Sequence, residues 1–328
     1  MQVHREINQL PSFKNAVITI GTFDGVHTGH LQIIKQLKQE AAEVKGESVI
    51  ITFHPHPRMV LTPPQQSEKK SLTPLGLLNT LDEKIELIEQ QNIDHLVIVP
   101  FTHEFSLLTA EEYIKNFVVE KFHPHTIIIG HDHHFGKQRK GNYKLLETYA
   151  EQLNYTVKEI PEHIINHVAI SSTKIREALL KADIETANKF LGYQYFFEGI
   201  VIEGDKIGRS LGYPTANIQI NDGHKLIPPN GVYAVELHTI RRAGHVVNSK
   251  SPLLRGMMNI GYRPTIGGTK KMIEVNIFDF NKEIYEERIR VFVKKYLRSE
   301  QKFNDLDALK SQLSLDRTNA IKILNQQS

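Results

Sequence analysis

Cysteine is absent from this 328-residue sequence. Its absence excludes disulfide bonds, thiolate zinc sites and cysteine nucleophiles, and it is compatible with a reducing compartment. Long apolar runs are absent too, because nowhere do about 18 apolar residues follow one another as a membrane-spanning helix requires. The N-terminus also lacks a basic start followed by an apolar stretch of about 7 to 15 residues, the pattern of an export signal. We therefore expect a cytoplasmic protein with no membrane partner.

A strong excess of either charge is also missing. The chain has 40 Lys and Arg residues against 37 Asp and Glu residues, for a formal net charge of +3. Such a balance leaves no broad basic surface for a nucleic-acid backbone, so we expect small-molecule partners and local phosphate binding. Hydrophobic residues make up 40% of the chain, which is enough for folding, and its length predicts two domains. The sequence leaves the oligomeric state open.

The first half of the chain alternates short β-rich runs with longer amphipathic segments. The runs predict buried parallel strands over residues 16–20, 48–53, 95–99, 126–129 and 155–160. Apolar residues at helical spacing predict helices over residues 31–44, 77–90, 110–119, 143–153, 173–181 and 184–191. This alternation predicts a doubly wound, Rossmann-like parallel sheet.

After Gly192 the pattern changes to strands separated by turn residues. Six strands are predicted over residues 195–202, 215–220, 232–239, 253–260, 272–278 and 289–293. Six strands without intervening helices predict an antiparallel β-barrel, on which a terminal helix over residues 305–324 would pack. The expected fold class is therefore α/β plus β, with domains at residues 1–185 and 186–328.

A glycine-rich turn follows the first predicted strand in AVITIGTFDGVHTGH. Gly21, Gly25 and Gly29 let backbone amides approach a phosphate, and His27 and His30 bracket the start of the first helix. A helix N-terminus supplies unpaired N–H groups and the positive end of a dipole, so the turn predicts an anion site. The segment matches neither GxxxxGK[ST] nor GxGxxG, which excludes the P-loop and the usual dinucleotide fingerprint.

The His-x-Gly-His turn resembles the nucleotidylyltransferase superfamily, in which two imidazoles stabilise charge as a nucleoside triphosphate loses pyrophosphate. The alternative is a pair of surface histidines beside a turn. A second segment, ISSTKIREALL at 170–180, favours the resemblance, because such enzymes carry a Ser/Thr-rich phosphate motif near this place. Ser172, Thr173 and Arg176 are its candidates for binding the triphosphate. The alternative is that Ser171 or Ser172 only caps the helix.

The segment DKIGRSLGYPTAN predicts a second polyphosphate site. Gly208 and Gly212 allow a tight loop, and Lys206 and Arg209 can offset phosphate charge. Pro214 sets the entry to a strand on which two oxygen-bearing side chains, Thr215 and Asn217, share a face. Two hard oxygen donors on one face suit Mg²⁺. In isolation, Thr-x-Asn favours the alternative, a Pro-Thr turn with a solvent-facing Asn.

Eight segments occur in one order: GTFDGVHTGH, ITFHPHPR, GHDHHFGKQRKG, ISSTKIREAL, GRSLGYPTANI, NIGYRPTIGG, IEVNIFDF and YLRSEQKF. Together they resemble the bacterial bifunctional riboflavin kinase/FAD synthetase family over nearly the whole chain. The resemblance implies an N-terminal FMN adenylyltransferase and a C-terminal riboflavin kinase. It implies riboflavin, FMN, FAD and ATP as ligands and Mg²⁺ as cofactor.

The resemblance also implies roles for single residues. Glu274 is the implied catalytic base of the kinase, although alternation alone predicts that it faces solvent. Thr215 and Asn217 are the implied metal ligands, and Arg298 is a candidate for holding flavin or phosphate, unless it is an exposed helix-edge residue. The adenylyltransferase half would use His27 and His30 in catalysis. Its implied nucleotide-binding residues are Gly21, Phe23, Asp24, Gly25, Gly29, Asp132, Ser172, Thr173 and Arg176.

One segment departs from the family pattern, because His133 stands in GHDHHFG where an aromatic residue is expected. Two alternatives therefore stay open: a kinase with a degenerate adenylyltransferase domain, and a non-catalytic flavin-binding regulator. A metal site at His131, His133 and His134 is a third reading of the segment. A polar loop is favoured over it, since no carboxylate or further ligand has zinc-site spacing.

Overall fold

The computed structural model describes residues 1–61, 76–130, 133–160, 170–204, 208, 211–243, 246–248, 252–265 and 268–326. They form two compact units: Met1–Leu75 with Leu81–Ser171, and Gly76–Thr80 with Ser172–Ser328. None of the helices in these described stretches has the length and apolar character needed to cross a membrane. The units are described separately below.

The first unit contains a six-stranded parallel sheet in the order β1-β4-β3-β2-β5-β6. Its strands are β1 (Gln2–His4), β2 (Val17–Ile20), β3 (Ser48–His54), β4 (His95–Pro100), β5 (Thr126–Gly130) and β6 (Thr156–Ile160). Its α-helices are α1 (Thr28–Glu43), α2 (Pro57–Leu61), α3 (Leu81–Glu89), α4 (His103–Ser106), α5 (Ala110–Glu112), α6 (Glu120–Phe122) and α7 (Tyr143–Ala150), with a π-helical segment Tyr113–Val119 joining α5 to α6. The predicted doubly wound sheet is confirmed, and the short edge strand β1 is additional.

The order of the strands creates a crevice at the end of β2. The chain runs from β2 through β3 to β4 on one side, and β5 then pairs with the other side of β2. Connections that leave β2 and β5 in opposite directions open a crevice at their carboxyl ends, where doubly wound sheets bind ligands. The residues of β2 are all buried, as a parallel strand covered on both faces requires. The glycine-rich turn follows β2 directly and therefore lies at this crevice.

The helix predicted over residues 77–90 begins only at Leu81, so the prediction was wrong for its first four residues. Leu77 instead forms a parallel β-bridge with Lys225, and its amide donates to the carbonyl of His224 at 2.7 Å. The ammonium of Lys225 donates to the carbonyl of Leu78, also at 2.7 Å. These tertiary hydrogen bonds outweigh the helical periodicity of a short apolar segment.

The second unit is a closed barrel with the strand order β12-β13-β8-β7-β14-β9. Its strands are β7 (Phe196–Ile202), β8 (Ala216–Gln219), β9 (Gly231–Thr239), β12 (Leu254–Thr265), β13 (Gly268–Ile277) and β14 (Arg288–Arg298), with a small hairpin of β10 (Arg241–Ala243) and β11 (Val246–Asn248). Its helices are α8 (Ser172–Leu180), α9 (Ile184–Leu191) and α10 (Leu306–Asn325). The predicted six-stranded barrel with a terminal helix is confirmed.

The terminal helix α10 covers one side of the barrel. Asp305 caps its N-terminus by accepting from the amide of Ala308 at 2.7 Å. Ala320 and Leu324 of the helix are fully buried and pack in one cluster with Phe278 and other barrel residues. The helix therefore shields a face of the barrel at β9 and β12 that would otherwise be exposed to water.

Candidate functional sites

The turn between β2 and α1 is strained. Phe23, Gly25 and Val26 have φ angles of 46°, 89° and 36°, all in the left-handed region. Glycine adopts this region without penalty, but a β-branched residue such as Val26 rarely does. Such strain persists only where the surroundings fix it, and it is found preferentially at ligand-binding turns. The amide of Val26 donates to the carbonyl of Phe23 at 3.2 Å, which closes the turn.

The two histidines of the turn stack at the start of α1. His27 caps the helix, because its Nδ1 accepts from the amide of His30 at 3.4 Å. This contact assigns the proton of the neutral His27 ring to Nε2. The ring centroids of His27 and His30 lie 3.7 Å apart with an interplanar angle of 16°. The structure thus brings together the two imidazoles that the sequence selects, at a helix N-terminus in the crevice.

His30 is held neutral at pH 7. Burial, then the neighbouring His27, then Lys84 lower its pKa well below 6.5. Among the described residues no group hydrogen-bonds its Nδ1, which is buried beside the Phe23 ring at a centroid distance of 5.0 Å. A neutral imidazole can donate or accept one hydrogen bond to a ligand without carrying a charge into the buried turn.

Lys84 is a site residue that the sequence reasoning missed. It lies on α3, is 6% exposed, and its Nζ donates to the carbonyl of Thr22 at 2.7 Å. Burial lowers its pKa to about 8, although the carboxylate of Asp24 acts in the opposite direction. A lysine in an amphipathic helix normally faces solvent, so no pattern in the sequence distinguished it.

The remaining residues predicted for the first site are placed as follows. An ideal Cβ on Gly21 would meet the Phe23 ring at 3.1 Å, so a larger residue there would require the buried ring to shift, and Gly29 is buried in α1. Asp132, like His131, lies outside the described residues. Ser172 begins α8 of the second unit, where Thr173 is exposed. On the same helix Arg176 Nε donates to the Gly76 carbonyl at 2.7 Å.

The predicted kinase residues come together at one cavity of about 380 Å³ in the barrel unit. Its polar lining includes Thr215, Asn217, Glu274 and Arg298, and its loop side includes Gly208. A Cβ on Gly208 would lie 2.3 Å from the Tyr213 carbonyl, so only glycine fits there. The cavity also has an apolar wall, formed by Leu211, Val232, Met257, Met258, Phe303, Leu309 and Leu313. One cavity thus offers both oxygen ligands and an apolar surface.

The other residues of the predicted kinase loop lie near this cavity or outside the described part. Gly212 has a φ of 82° and allows the turn that leads into β8. Pro214 lines an adjoining cavity of about 80 Å³, to which Thr215 also contributes. Lys206 and Arg209 lie outside the described residues.

Glu274 and Asn217 occupy paired positions on β13 and β8. Asn217 is 6% exposed, and its Oδ1 finds no hydrogen-bond partner among the described residues. Asn276, two residues beyond Glu274, is 5% exposed, and its Oδ1 also has no hydrogen-bond partner among the described residues. Its Nδ2 donates to the Pro214 carbonyl at 2.7 Å. Buried amide oxygens without a partner are costly unless a ligand satisfies them, so this oxygen set fits a hard divalent cation.

The simple alternation that predicts a solvent-facing Glu274 was wrong about this face of β13. Ile273 and Val275 point into the core as predicted, but Asn276 and Phe278 on the other face are also buried. The reason is α10, which packs on Phe278 and closes the cavity. No sequence pattern distinguishes Asn276, because its hydrogen-bond partner, the Pro214 carbonyl, lies 62 positions away in the chain.

Arg298 lines the cavity while its guanidinium is held by a carboxylate. Its Nε donates to Asp316 Oδ1 at 2.8 Å, and its second terminal nitrogen donates to Asp316 Oδ2 at 2.7 Å. Asp316 belongs to α10, is 1% exposed, and also accepts from Gln312 at 2.8 Å. The bidentate pair fixes α10 on the barrel beside the cavity, so Arg298 is a paired, partly buried strand residue, with a side chain 17% exposed, rather than an exposed helix-edge arginine.

Comparison with protein families matches both halves. The FAD synthetase family model matches residues 10–174, and the riboflavin kinase family model matches residues 191–324. The chain belongs to the bifunctional riboflavin kinase/FMN adenylyltransferase family. Residues 175–190 lie between the two matched regions.

Curated relatives named for both activities match this chain over almost their whole length. The bifunctional riboflavin kinase/FMN adenylyltransferase of Buchnera aphidicola subsp. Schizaphis graminum is 39% identical over 321 residues, 96% of each chain. The Bacillus subtilis protein of the same name is 37% identical, covering 94% of this chain and 92% of the relative. The Escherichia coli K12 protein is 31% identical, covering 96% and 94%. The His133 substitution therefore occurs in a chain that otherwise aligns with bifunctional enzymes throughout.

A solved structure shares the whole architecture. The crystal structure of a protein named macrolide-efflux protein from Streptococcus pneumoniae superposes with a TM-score of 0.83 at 28% identity, covering 97% of each chain. The name macrolide-efflux protein describes the Streptococcus pneumoniae protein and is not applied to this chain. The similarity supports the presence of both a parallel-sheet unit and a barrel unit in one chain.

Proposed function

We propose that this chain catalyses two consecutive reactions at two separate sites. Riboflavin and ATP give FMN and ADP at the barrel cavity, and FMN and ATP give FAD and pyrophosphate at the turn after β2. The observation that carries the proposal is the convergence of Glu274, Thr215 and Asn217 on one cavity with an apolar wall. Membership of the bifunctional family supports both activities, and we propose a cytoplasmic location.

In the kinase reaction Glu274 acts as general base. Its carboxylate accepts the proton of the terminal ribityl hydroxyl while that oxygen forms a bond to the γ-phosphorus and the bond to the β-phosphate oxygen breaks. The apolar wall, with Met257 and Leu313, binds the flavin ring and excludes water from it. Pairing of β13 with β8 fixes Glu274 opposite Asn217, so that the base and the phosphate-binding residues share one site.

A divalent cation fits the barrel cavity. Thr215 and Asn217 would hold it, because the buried Asn217 Oδ1 lacks another partner among the described residues. When bound, Mg²⁺ neutralises charge on the β- and γ-phosphates. Asn276 orients the entry to β8 by donating to the Pro214 carbonyl, which positions the following Thr215.

In the second reaction an oxygen of the FMN phosphate attacks the α-phosphorus of ATP, and the bond to the pyrophosphate oxygen breaks. The second pKa of a phosphate monoester is about 6, so this nucleophile is already ionised near neutral pH and needs no general base. Catalysis then depends on positioning and on stabilising charge at the α-phosphate. His27, His30 and the N-terminus of α1 supply this stabilisation, and we assign triphosphate binding to Ser172, Thr173 and Arg176 from the sequence motif.

The two alternatives that the sequence leaves open are not favoured. A kinase with a degenerate first domain would need a disrupted turn, but the histidine pair, the helix cap and the buried Asp24 are intact. A flavin-binding regulator would have no use for a carboxylate beside unsatisfied amide oxygens. Relatives aligned over the whole chain are named for both activities.

One reaction mixture tests the proposal. Purified protein is incubated with riboflavin, ATP and MgCl₂, and the flavins are separated by chromatography over time. FMN should accumulate first and then decline as FAD forms. Absence of FMN would contradict the kinase assignment, and FMN that never converts to FAD would contradict the assignment of the first unit.

A further inference from the structure

Lys84 makes a buried contact with the turn after β2 that the proposed reaction does not yet explain. We propose that Lys84 is a positioning residue for FMN adenylylation, whose buried ammonium fixes the strained turn after β2 through the Thr22 carbonyl. The inference rests on the proposed adenylylation at this turn. It assigns a role in that reaction to α3, an element that contributes none of the motif residues.

Three elements meet at the Thr22 carbonyl. It accepts from Lys84 Nζ of α3 at 2.7 Å and from Thr52 Oγ1 of β3 at 3.1 Å. Lys84 Nζ also lies 3.5 Å from Thr52 Oγ1, so the three groups form a closed triangle. Thr22 directly precedes Phe23, the first left-handed residue of the turn. Fixing its carbonyl therefore fixes the peptide plane from which the strained conformation starts.

The ammonium also has an electrostatic effect on the proposed reacting site. The ammonium lowers the pKa of His30, and the carboxylate of Asp24 on the turn raises the pKa of Lys84, so Lys84 interacts electrostatically with groups on both the turn and α1. The titratable groups that face it in the described structure are Asp24 on the turn and His30, backed by His27, on α1. A buried lysine is costly, and a carbonyl acceptor with a nearby carboxylate offsets that cost. Its positive charge lies where a polyphosphate would bring negative charge.

The ionisation of Lys84 gives the proposal a pH signature. Because burial lowers its pKa to about 8, the ammonium is charged below that pH and loses its proton as the pH rises through it. The value of kcat/KM for ATP reports the free enzyme. It should therefore fall on the alkaline side near pH 8 in the wild-type chain. Arginine stays protonated over this range, so Lys84→Arg should keep its remaining activity to higher pH.

The test compares Lys84→Met, Lys84→Arg and a matched control, Lys38→Met. Lys38 also donates to a backbone carbonyl at 2.7 Å, that of Gln91, but it is exposed and away from the turn. Adenylylation is measured with FMN and ATP from pH 6 to 10, and riboflavin phosphorylation by the same preparations serves as a folding control. Lys84→Met should lower kcat/KM for adenylylation by about tenfold or more and abolish the alkaline fall, while phosphorylation and Lys38→Met stay near wild type.

Two results would overturn the inference. One is a Lys84→Met variant with the wild-type rate and pH profile for FAD formation. The other is a Lys84→Arg variant whose adenylylation activity falls at the same alkaline pH as that of the wild type. This second result can be obtained even if Lys84→Met does not fold. Failure of the wild-type chain itself to form FAD from FMN would contradict the proposed function instead, so the two failures are distinguishable.

Discussion

Replacement of Glu274 by glutamine should stop riboflavin phosphorylation and leave FMN adenylylation intact. Glutamine has nearly the same shape as glutamate but cannot accept the proton of the attacking hydroxyl. Glu274 lies in a strand whose neighbours Ile273 and Val275 are buried in the barrel core, so an isosteric change there leaves the packing unaltered. The perturbation therefore removes the proton acceptor while it keeps the shape of the side chain.

General-base catalysis contributes about 10²- to 10⁴-fold to a rate, equivalent to about 2.7 to 5.5 kcal/mol of transition-state stabilisation. The other cavity groups stay in place and still position the substrates, so we expect kcat to fall by about 10³-fold. The apolar wall at Met257 and Leu313 is untouched. The KM for riboflavin should therefore change by less than about threefold, because ring binding does not depend on the carboxylate.

The assay measures FMN formed from riboflavin, and FAD formed from supplied FMN, in the same preparations. Glu287→Gln is the matched control, since Glu287 is an exposed glutamate of the barrel unit that lines neither described cavity. Wild-type kcat for phosphorylation in Glu274→Gln would refute its role as the base. Equal loss of both activities would refute the separation of the two sites.

Three further outcomes follow from the structure. His30→Ala should leave FMN formation unchanged and lower FAD formation from FMN by about 100-fold, and normal FAD synthesis would remove His30 from the mechanism. Asn217→Ala should raise the Mg²⁺ concentration needed for half-maximal phosphorylation by about tenfold, whereas an unchanged requirement would exclude the amide as a ligand. Asp316→Asn should destabilise the barrel unit by about 2 kcal/mol in urea unfolding, because it removes the charged acceptor of the partly buried Arg298 guanidinium. Asp279 pairs with Arg317, but its side chain is 84% exposed, so Asp279→Asn should lower the free energy of unfolding by about 0.5 kcal/mol or less. Equal losses of stability in Asp316→Asn and Asp279→Asn would contradict this distinction.

The first unit was largely predictable because its strands are buried on both faces. Continuous β-branched runs such as residues 17–20 have no other stable position in an α/β domain, and a glycine-rich turn after such a strand must lie at the carboxyl edge of the sheet. The strand β1 escaped prediction because three residues carry no periodicity. The start of α3 was misplaced because Leu77 pairs with Lys225, about 150 residues further along the chain, and local spacing has no information about such a pairing.

The polar residues of the sites were harder to predict. Lys84, Asn276 and Asp316 are buried, yet each occupies a position in its helix or strand where a polar residue ordinarily faces water. Their burial is decided by distant elements: the turn after β2 covers Lys84, and α10 brings Asp316 to Arg298. A sequence pattern reports which face of an element is apolar, and it does not report which polar side chains a second element will cover.

Complementation between two inactive variants is the most direct test of two separate sites in one chain. Over the time in which the wild-type chain converts riboflavin to FAD, Glu274→Gln alone should form little FMN or FAD, and His30→Ala alone should accumulate FMN. Mixed in one tube with riboflavin, ATP and MgCl₂, they should form FAD, because FMN released by the second variant is the substrate of the first. A mixture that accumulates FMN without forming FAD, while Glu274→Gln converts supplied FMN poorly, would contradict the account.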